Sequence, residues 1–131
     1  MVGHVWDIRV YYEDTDSGGV VYHSSYLNFM ERSRTEWLRG LGINQKKLKQ
    51  DQEILFVVHH IDIKFKQPAF FDDLLKIQTE LIRMGSAKIV VEQKINRGND
   101  CLIEAMVTIA CVNGKKLKPK RIPDNIKLIM E

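Results

Sequence analysis

The 131-residue sequence predicts an α+β fold in which one substantial helix lies against a mostly antiparallel sheet of about five strands. Three observations carry that reading. Tyr26, Met30, Ser33, Trp37 and Leu41 recur at intervals of four, three, four and four, the spacing of one helix face. From Ile61 onward the period changes to two, as in strands with one buried face. The strand-like runs are joined at Met84-Gly85 and at Arg97-Gly98-Asn99-Asp100, connections of hairpin length that make neighbours antiparallel.

The elements follow in order. Residues 5–13 hold Val5, Ile8, Val10, Tyr11 and Tyr12, types that favour a strand, and run into the turn-forming Asp14-Thr15-Asp16-Ser17-Gly18-Gly19. Ser24 or Ser25 suits the cap of the long helix, with Glu31, Arg32, Thr35, Glu36 and Arg39 on its polar side, and Gly40 and Gly42 end it. A second, polar helix is expected over 44–52. Ile61, Ile63 and Phe65 alternate with Asp62, Lys64 and Lys66 until Pro68 stops the strand; Leu75, Ile77, Thr79 and Leu81 form the next, then Ile89, Val91, Gln93 and Ile95. The last strand, Cys101 to Asn113, is apolar in both phases, with Leu102, Met106, Ala110 and Val112 in one and Ile103, Val107, Ile109 and Cys111 in the other. A sheet with one wet face alternates cleanly, so the helix covers one side and another subunit, or the C-terminal tail, covers part of the other.

With 44% hydrophobic and 28% charged residues the chain is neither disordered nor fibrous, and without repeats or low-complexity linkers it reads as a single domain over residues 1–131. No apolar run reaches the roughly 18 residues of a membrane helix, and Met1-Val2-Gly3-His4-Val5-Trp6-Asp7 lacks the regions of a signal peptide, which points to the cytosol. Cys101 and Cys111 sit in one strand about 33 Å apart, too far to pair within it. His59 and His60 are strand neighbours that point to opposite faces, so they do not chelate one metal ion together. Residues 115–121 carry five basic side chains and no acid, more than the whole net charge of +3. Basicity that local suits a localised anion better than a nucleic-acid track.

The carboxylate-rich loop joins a strand end to a helix start. Helix N-termini offer unpaired N–H groups and partial positive charge, so a carboxylate held there can attack a carbonyl, or activate water toward it, while the N–H groups receive the oxyanion. An Asp-rich turn before a helix is also an ordinary cap, and these residues alone leave both readings open.

The segment Val10-Tyr11-Tyr12-Glu13-Asp14-Thr15-Asp16, the Gly18-Gly19-Val20-Val21-Tyr22-His23 that follows, and Tyr26 with Glu31-Arg32-Ser33-Arg34 resemble the hotdog-fold acyl-CoA thioesterases of the 4-hydroxybenzoyl-CoA thioesterase type. The nearest resemblance is to the bacterial branch encoded with the Tol-Pal envelope system. Phe56-Val57-Val58, Pro68-Ala69 and Asp73-Leu74-Leu75-Lys76-Ile77 extend it over nearly the whole chain. The resemblance implies a long central helix wrapped by the sheet, a homo-oligomer (dimer or tetramer) with sites at its interfaces, and hydrolysis of an acyl-CoA thioester. It implies no nucleotide, flavin or metal cofactor, since coenzyme A enters as part of the substrate.

Under that resemblance Asp16 is the catalytic carboxylate, as nucleophile or as general base, and the oxyanion donor is a backbone N–H at or beside His23. The His23 side chain either orients Asp16 or the thioester, or merely caps the helix. Glu13 and Asp14 read as turn carboxylates, and Tyr22 and Tyr26 as packing residues near the acyl slot. Lys118, Lys120 and Arg121, with Lys88, suit the phosphates of coenzyme A, unless the basic run is only a solvated tail. An acyl carrier protein, with its acidic surface, is an alternative acyl donor, and a non-catalytic hotdog binding or envelope-associated protein is a third reading.

Overall fold

The computed structural model describes residues 3–131, so Met1 and Val2 of the N-terminal segment read above lie outside the described residues. Five strands form one sheet: β1 (His4–Arg9), β2 (Ile54–Phe65), β3 (Leu74–Met84), β4 (Lys88–Arg97) and β5 (Asp100–Asn113). Their order is β1-β3-β4-β5-β2, and every neighbouring pair is antiparallel. The long helix α1 (His23–Gly40) lies on one face, α2 (Gln45–Gln52) leads into β2, and α3 (Asp124–Met130) closes the chain. The α+β hotdog arrangement expected from the sequence is the one observed.

The sheet forms because alternation gives β3 and β4 one apolar face: Leu75, Ile77, Ile89, Val91 and Ile95 are almost entirely buried. Against them α1 sets Tyr26, Met30, Ser33 and Trp37 of the face its periodicity predicts, together with Phe29, which that periodicity did not include. Each fully buried side chain of the Phe, Met or Ile kind contributes about 1.5–3 kcal/mol. A polar layer runs through this interface. Gln93, fully buried, donates from Nε2 to the Met30 carbonyl at 3.0 Å and to Thr79 Oγ1 at 2.9 Å, while its Oε1 accepts from Arg34 Nη1 at 2.9 Å. Ser33 Oγ lies 3.2 Å from Thr79 Oγ1. The bonds to Met30, Arg34 and Ser33 fix the rotation of α1 on the sheet, since turning it by one residue would leave Gln93 and Thr79 buried with only each other as partners.

Several local expectations are corrected. The first strand ends at Arg9 rather than at residue 13, because Val10 exchanges backbone bonds with Asp72 and Asp73 and the chain then makes a 3-10 turn at Tyr12–Asp14. The cap of α1 is neither Ser24 nor Ser25; Tyr22 holds that position, without a side-chain bond. β2 begins at Ile54, well before Ile61, and slips register between Val58 and His60. The helix α3 was not anticipated, although Pro123 ahead of Asp124 and the four-residue spacing of Ile126 and Met130 were its signal.

The double burial of β5 has two causes within the chain, a bulge and the C-terminal tail that was one of the two covers expected. A bulge at its start lets the consecutive Leu102 and Ile103 both be fully buried. Val112 is covered by the returning C-terminal segment through its bridge to Pro119. The tail thus accounts for the end of that face, while Met106 stays exposed.

Candidate active site

The loop between β1 and α1 folds back on itself. Thr15 bridges Val21, Val20 bridges Phe70, and Val21 N–H donates to the Ala69 carbonyl at 3.0 Å. Asp16 therefore lies one residue beyond the Thr15–Val21 bridge on one leg, and His23 two residues beyond it on the other. Asp16 Oδ1 accepts from the N–H groups of Gly18 at 2.8 Å and Val20 at 3.3 Å, and Asp16 N–H donates to the Val20 carbonyl at 2.8 Å. Gly19, at φ +84°, supplies the left-handed turn this needs. The half-buried carboxylate is thus pinned by one oxygen, and among the described residues Oδ2 has no partner.

Asp14 differs from Asp16 in what holds it. Its Oδ2 accepts from Tyr11 N–H at 2.9 Å and its carbonyl accepts from Tyr22 N–H at 3.0 Å, so it ties the 3-10 turn to the helix start. Beyond that tie α1 opens uncapped. Among the described residues the backbone N–H groups of His23 and Ser24 find no protein acceptor, which leaves two donors and the positive end of an 18-residue helix beside the loop.

The His23 ring lies on Phe65, centroids 4.6 Å apart, and Tyr26 packs against the same ring at 5.8 Å. Tyr26 is buried and its hydroxyl accepts from Ala69 N–H at 2.9 Å; burial raises the phenol pKa, only partly offset by that bond, so it stays neutral. Tyr22 is exposed at the helix entrance. The Pro68–Phe70 segment opposite is held by Arg97, which donates to the Pro68 carbonyl at 3.1 Å, pairs with Asp73 at 2.9 Å and lies over the Phe70 ring. His23 and Tyr26 thus share the Phe65 ring, and the Asp16 loop is tied through Val20 and Val21 to the Ala69–Phe70 segment that Tyr26 also meets.

The basic candidates are not there. Lys88 sits in the row of Ala110 and Val57, its Nζ 3.4 Å from His59 Nε2, roughly 25 Å along β2 from Phe65. Lys118 and Lys120 return alongside Asn113 and Cys111, at the Ile54 end of the same strand. Lys120 Nζ donates to the Gln52 carbonyl, and Arg121 pairs with Asp124 at 3.3 Å. Two site features escaped the sequence reading. The Gly18 and Val20 donors had a signal in the Asp-x-Gly spacing of an Asx turn. The Phe65 floor had none, because only the tertiary fold brings it to His23.

Residues 10–129 match the model of the Thioesterase-like superfamily. The chain is 45% identical over 125 residues to the acyl-CoA thioesterase YbgC of Haemophilus influenzae, covering 95% of this chain and 92% of that protein. It is 46% identical over 122 residues to the acyl-CoA thioester hydrolase YbgC of Escherichia coli O157:H7, covering 92% and 90%. Among solved structures it is similar to a probable thioesterase from Bartonella henselae, with a TM-score of 0.88 and 44% identity over 92% of this chain and 99% of that one. The loop, the helix and the sheet that wraps them thus recur together, and the chain belongs to the thioesterase-like superfamily as a hotdog-fold thioesterase.

Proposed function

We propose that this protein is a cytosolic acyl-CoA thioesterase that works as a homo-oligomer, dimer or tetramer, of single domains spanning residues 1–131. The observation that carries the chemistry is the Asp16 carboxylate, fixed through Oδ1 with Oδ2 free, beside the open N-terminus of α1. As nucleophile, Oδ2 attacks the thioester carbon, the C–S bond breaks and coenzyme A leaves as thiolate; water then hydrolyses the acyl–aspartyl anhydride. As general base, Asp16 takes a proton from the water that attacks and returns it to the departing sulfur. Either route passes through a tetrahedral oxyanion, which the His23 and Ser24 N–H groups are positioned to receive. The His23 ring, held on Phe65, flanks that position.

The separation of the basic residues from Asp16 within one chain supports the oligomer. β2 is the last strand of the sheet, and its outer edge is unpaired. Two such strands joined antiparallel about a two-fold axis bring the Val57 row of each chain toward the Phe65 end of the other. Lys88, Lys118, Lys120 and Arg121 then serve the neighbouring chain's coenzyme A phosphates.

The test is release of free thiol from acetyl-, butyryl-, benzoyl- and palmitoyl-CoA, with an acyl carrier protein thioester for comparison. Turnover of at least one CoA ester, lost in Asp16→Asn, is expected. Absence of thiol release across the whole panel defeats the proposal, and preference for the carrier-protein ester moves the substrate class.

A further inference from the structure

Among the described residues the polar contacts of the Arg97 side chain all end on one short turn, and that turn carries the loop of Asp16. Arg97 continues the row Ile89, Val91, Gln93 and Ile95 along β4, the phase that is otherwise buried beneath α1. A cation at the end of such a row needs partners, and Arg97 finds them between residues 68 and 73. Its Nη1 donates to the Pro68 carbonyl at 3.1 Å and to Asp73 Oδ2 at 2.9 Å, and its guanidinium lies 5.7 Å from the centre of the Phe70 ring. Asp73 Oδ2 also accepts from Phe70 N–H at 2.9 Å, so one carboxylate both closes the turn and fastens it to β4. The Arg97 and Asp73 side chains are only 29% and 21% exposed, which shelters the pair from the water that weakens surface ion pairs.

The same turn holds both legs of the loop. On the outgoing leg Val10 exchanges backbone bonds with Asp72 and Asp73, and the Tyr12 ring stacks on Phe71 with centroids 3.7 Å apart. On the returning leg Val20 bridges Phe70, and Val21 N–H donates to the Ala69 carbonyl. Bonds inside the loop, Thr15 with Val21 and Asp16 with Gly18 and Val20, fix its shape but not its tilt over the start of α1. That tilt is set by the turn, which connects β2 to β3 and is tied to β4 by Arg97. A reacting group displaced by about 1 Å loses on the order of 10²-fold in rate. The geometry points to Arg97 as a positioning residue for thioester hydrolysis: through Pro68, Phe70 and Asp73 it holds the turn that aims the Asp16 carboxylate, acting on the seat of the loop and not on the reacting atoms.

The inference rests on the assignment of Asp16 proposed above, and the experiment separates the two. Arg97→Met keeps an apolar stem and removes the donors. At a temperature where circular dichroism shows the variant folded, it is expected to lower kcat for an acyl-CoA about tenfold or more while KM stays within about twofold. Arg97→Lys keeps a charged donor and should bring kcat back to within about threefold of wild type. A merely structural role would shift the unfolding midpoint and leave the kcat of folded molecules alone. Asp73→Asn retains an oxygen for Phe70 N–H and loses the charge partner, so it should lower kcat about fivefold by itself, yet add less than about twofold to Arg97→Met. This arm decides the matter even if Arg97→Met does not fold. In an Asp16→Asn background, Arg97→Met should leave the residual turnover within about twofold, because the group it aims is already gone. Unchanged kcat in folded Arg97→Met or in Asp73→Asn, or a loss carried by KM, would overturn the inference with the Asp16 assignment intact. Near wild-type turnover in Asp16→Asn alone would remove that assignment and this inference with it.

Discussion

The two ends of β2 are built to opposite standards. At the Ile54 end polar groups are spent on each other. Asn113 Oδ1 accepts from the N–H groups of Lys115 and Lys116, Lys115 pairs with Glu53 at 3.0 Å, Lys120 donates to the Gln52 carbonyl, and Arg121 meets Asp124. At the Phe65 end the equivalent groups are left open: among the described residues Asp16 Oδ2 and the first N–H groups of α1 have no partner, and aromatic rings face solvent around them. Satisfied polar groups hold a fold; oriented, unsatisfied ones are what a reacting substrate completes. On the proposed mechanism the chemistry belongs to the open end, and the other end is architecture with at most electrostatic service to a neighbouring chain.

The sharpest way to break this contrast is a pair of substitutions within the open end. Asp16→Asn is expected to lower kcat on the order of 10²-fold or more with binding largely intact, measured as thiol release. Asp14→Asn removes the same charge from the same loop but keeps a side-chain oxygen that accepts from Tyr11 N–H, so it should cost at most about 1 kcal/mol of stability and little turnover. Equal losses from both would shift the function from one carboxylate to the loop's charge. Next in size comes the middle of the molecule, where Ser33, Thr79, Gln93 and Arg34 are bonded to one another. Gln93→Leu strips Thr79, Arg34 and the Met30 carbonyl of a shared partner and should cost about 2 kcal/mol in urea unfolding. An unchanged midpoint would mean the polar layer is not what fixes α1.

At the spent end, replacing Lys118, Lys120 and Arg121 together by Ala should raise KM for an acyl-CoA about fivefold, with kcat nearly unchanged and added salt blunting the difference. An unaltered KM would leave that end purely architectural. The smallest effect concerns Glu53, whose carboxyl pKa is lowered chiefly by its bond from Lys115, then by that from Asn113. A depressed folded-state pKa contributes stability that is present above the unfolded carboxylate value and lost as pH falls through the folded one. Glu53→Gln should therefore show a smaller drop in unfolding midpoint between pH 7 and pH 3 than wild type does, and an identical drop would dismiss the pair.

Periodicity made the central elements legible: the α1 face from Tyr26 to Trp37 and the alternation of β3 and β4 are local signals that tertiary packing then obeys. The misreadings share one cause, long-range pairing. Whether the strand ends at Arg9 or at residue 13 depends on Asp72 and Asp73, more than sixty residues away in the chain. The cap fell on Tyr22 because Val21 is tied to Ala69 and the helix starts where that tie releases it. The two-sided burial of β5 was legible as a pattern, with the C-terminal tail as one of two expected covers, but the bulge at Leu102 was not. For the site, resemblance supplied Asp16 and His23, while composition located the basic run without saying which end of β2 it would occupy.

The sheet order has a temporal meaning as well. β3, β4 and β5 are consecutive hairpins, whereas β1 pairs with β3 across a gap that joins His4 to Thr79. Local hairpins form early and distant pairings close last. On the growing chain, β1, the Asp16 loop and α1 emerge before any strand that can receive them, and they wait exposed until the hairpins follow. The loop that carries Asp16 is therefore assembled at the close of folding. In refolding experiments, regain of thiol release should lag formation of the β3–β5 hairpins, read by far-ultraviolet circular dichroism; simultaneous recovery would contradict this order. On the proposed mechanism turnover then reports completed molecules only, because a chain that has collapsed but not docked its first strand has no loop with which to act.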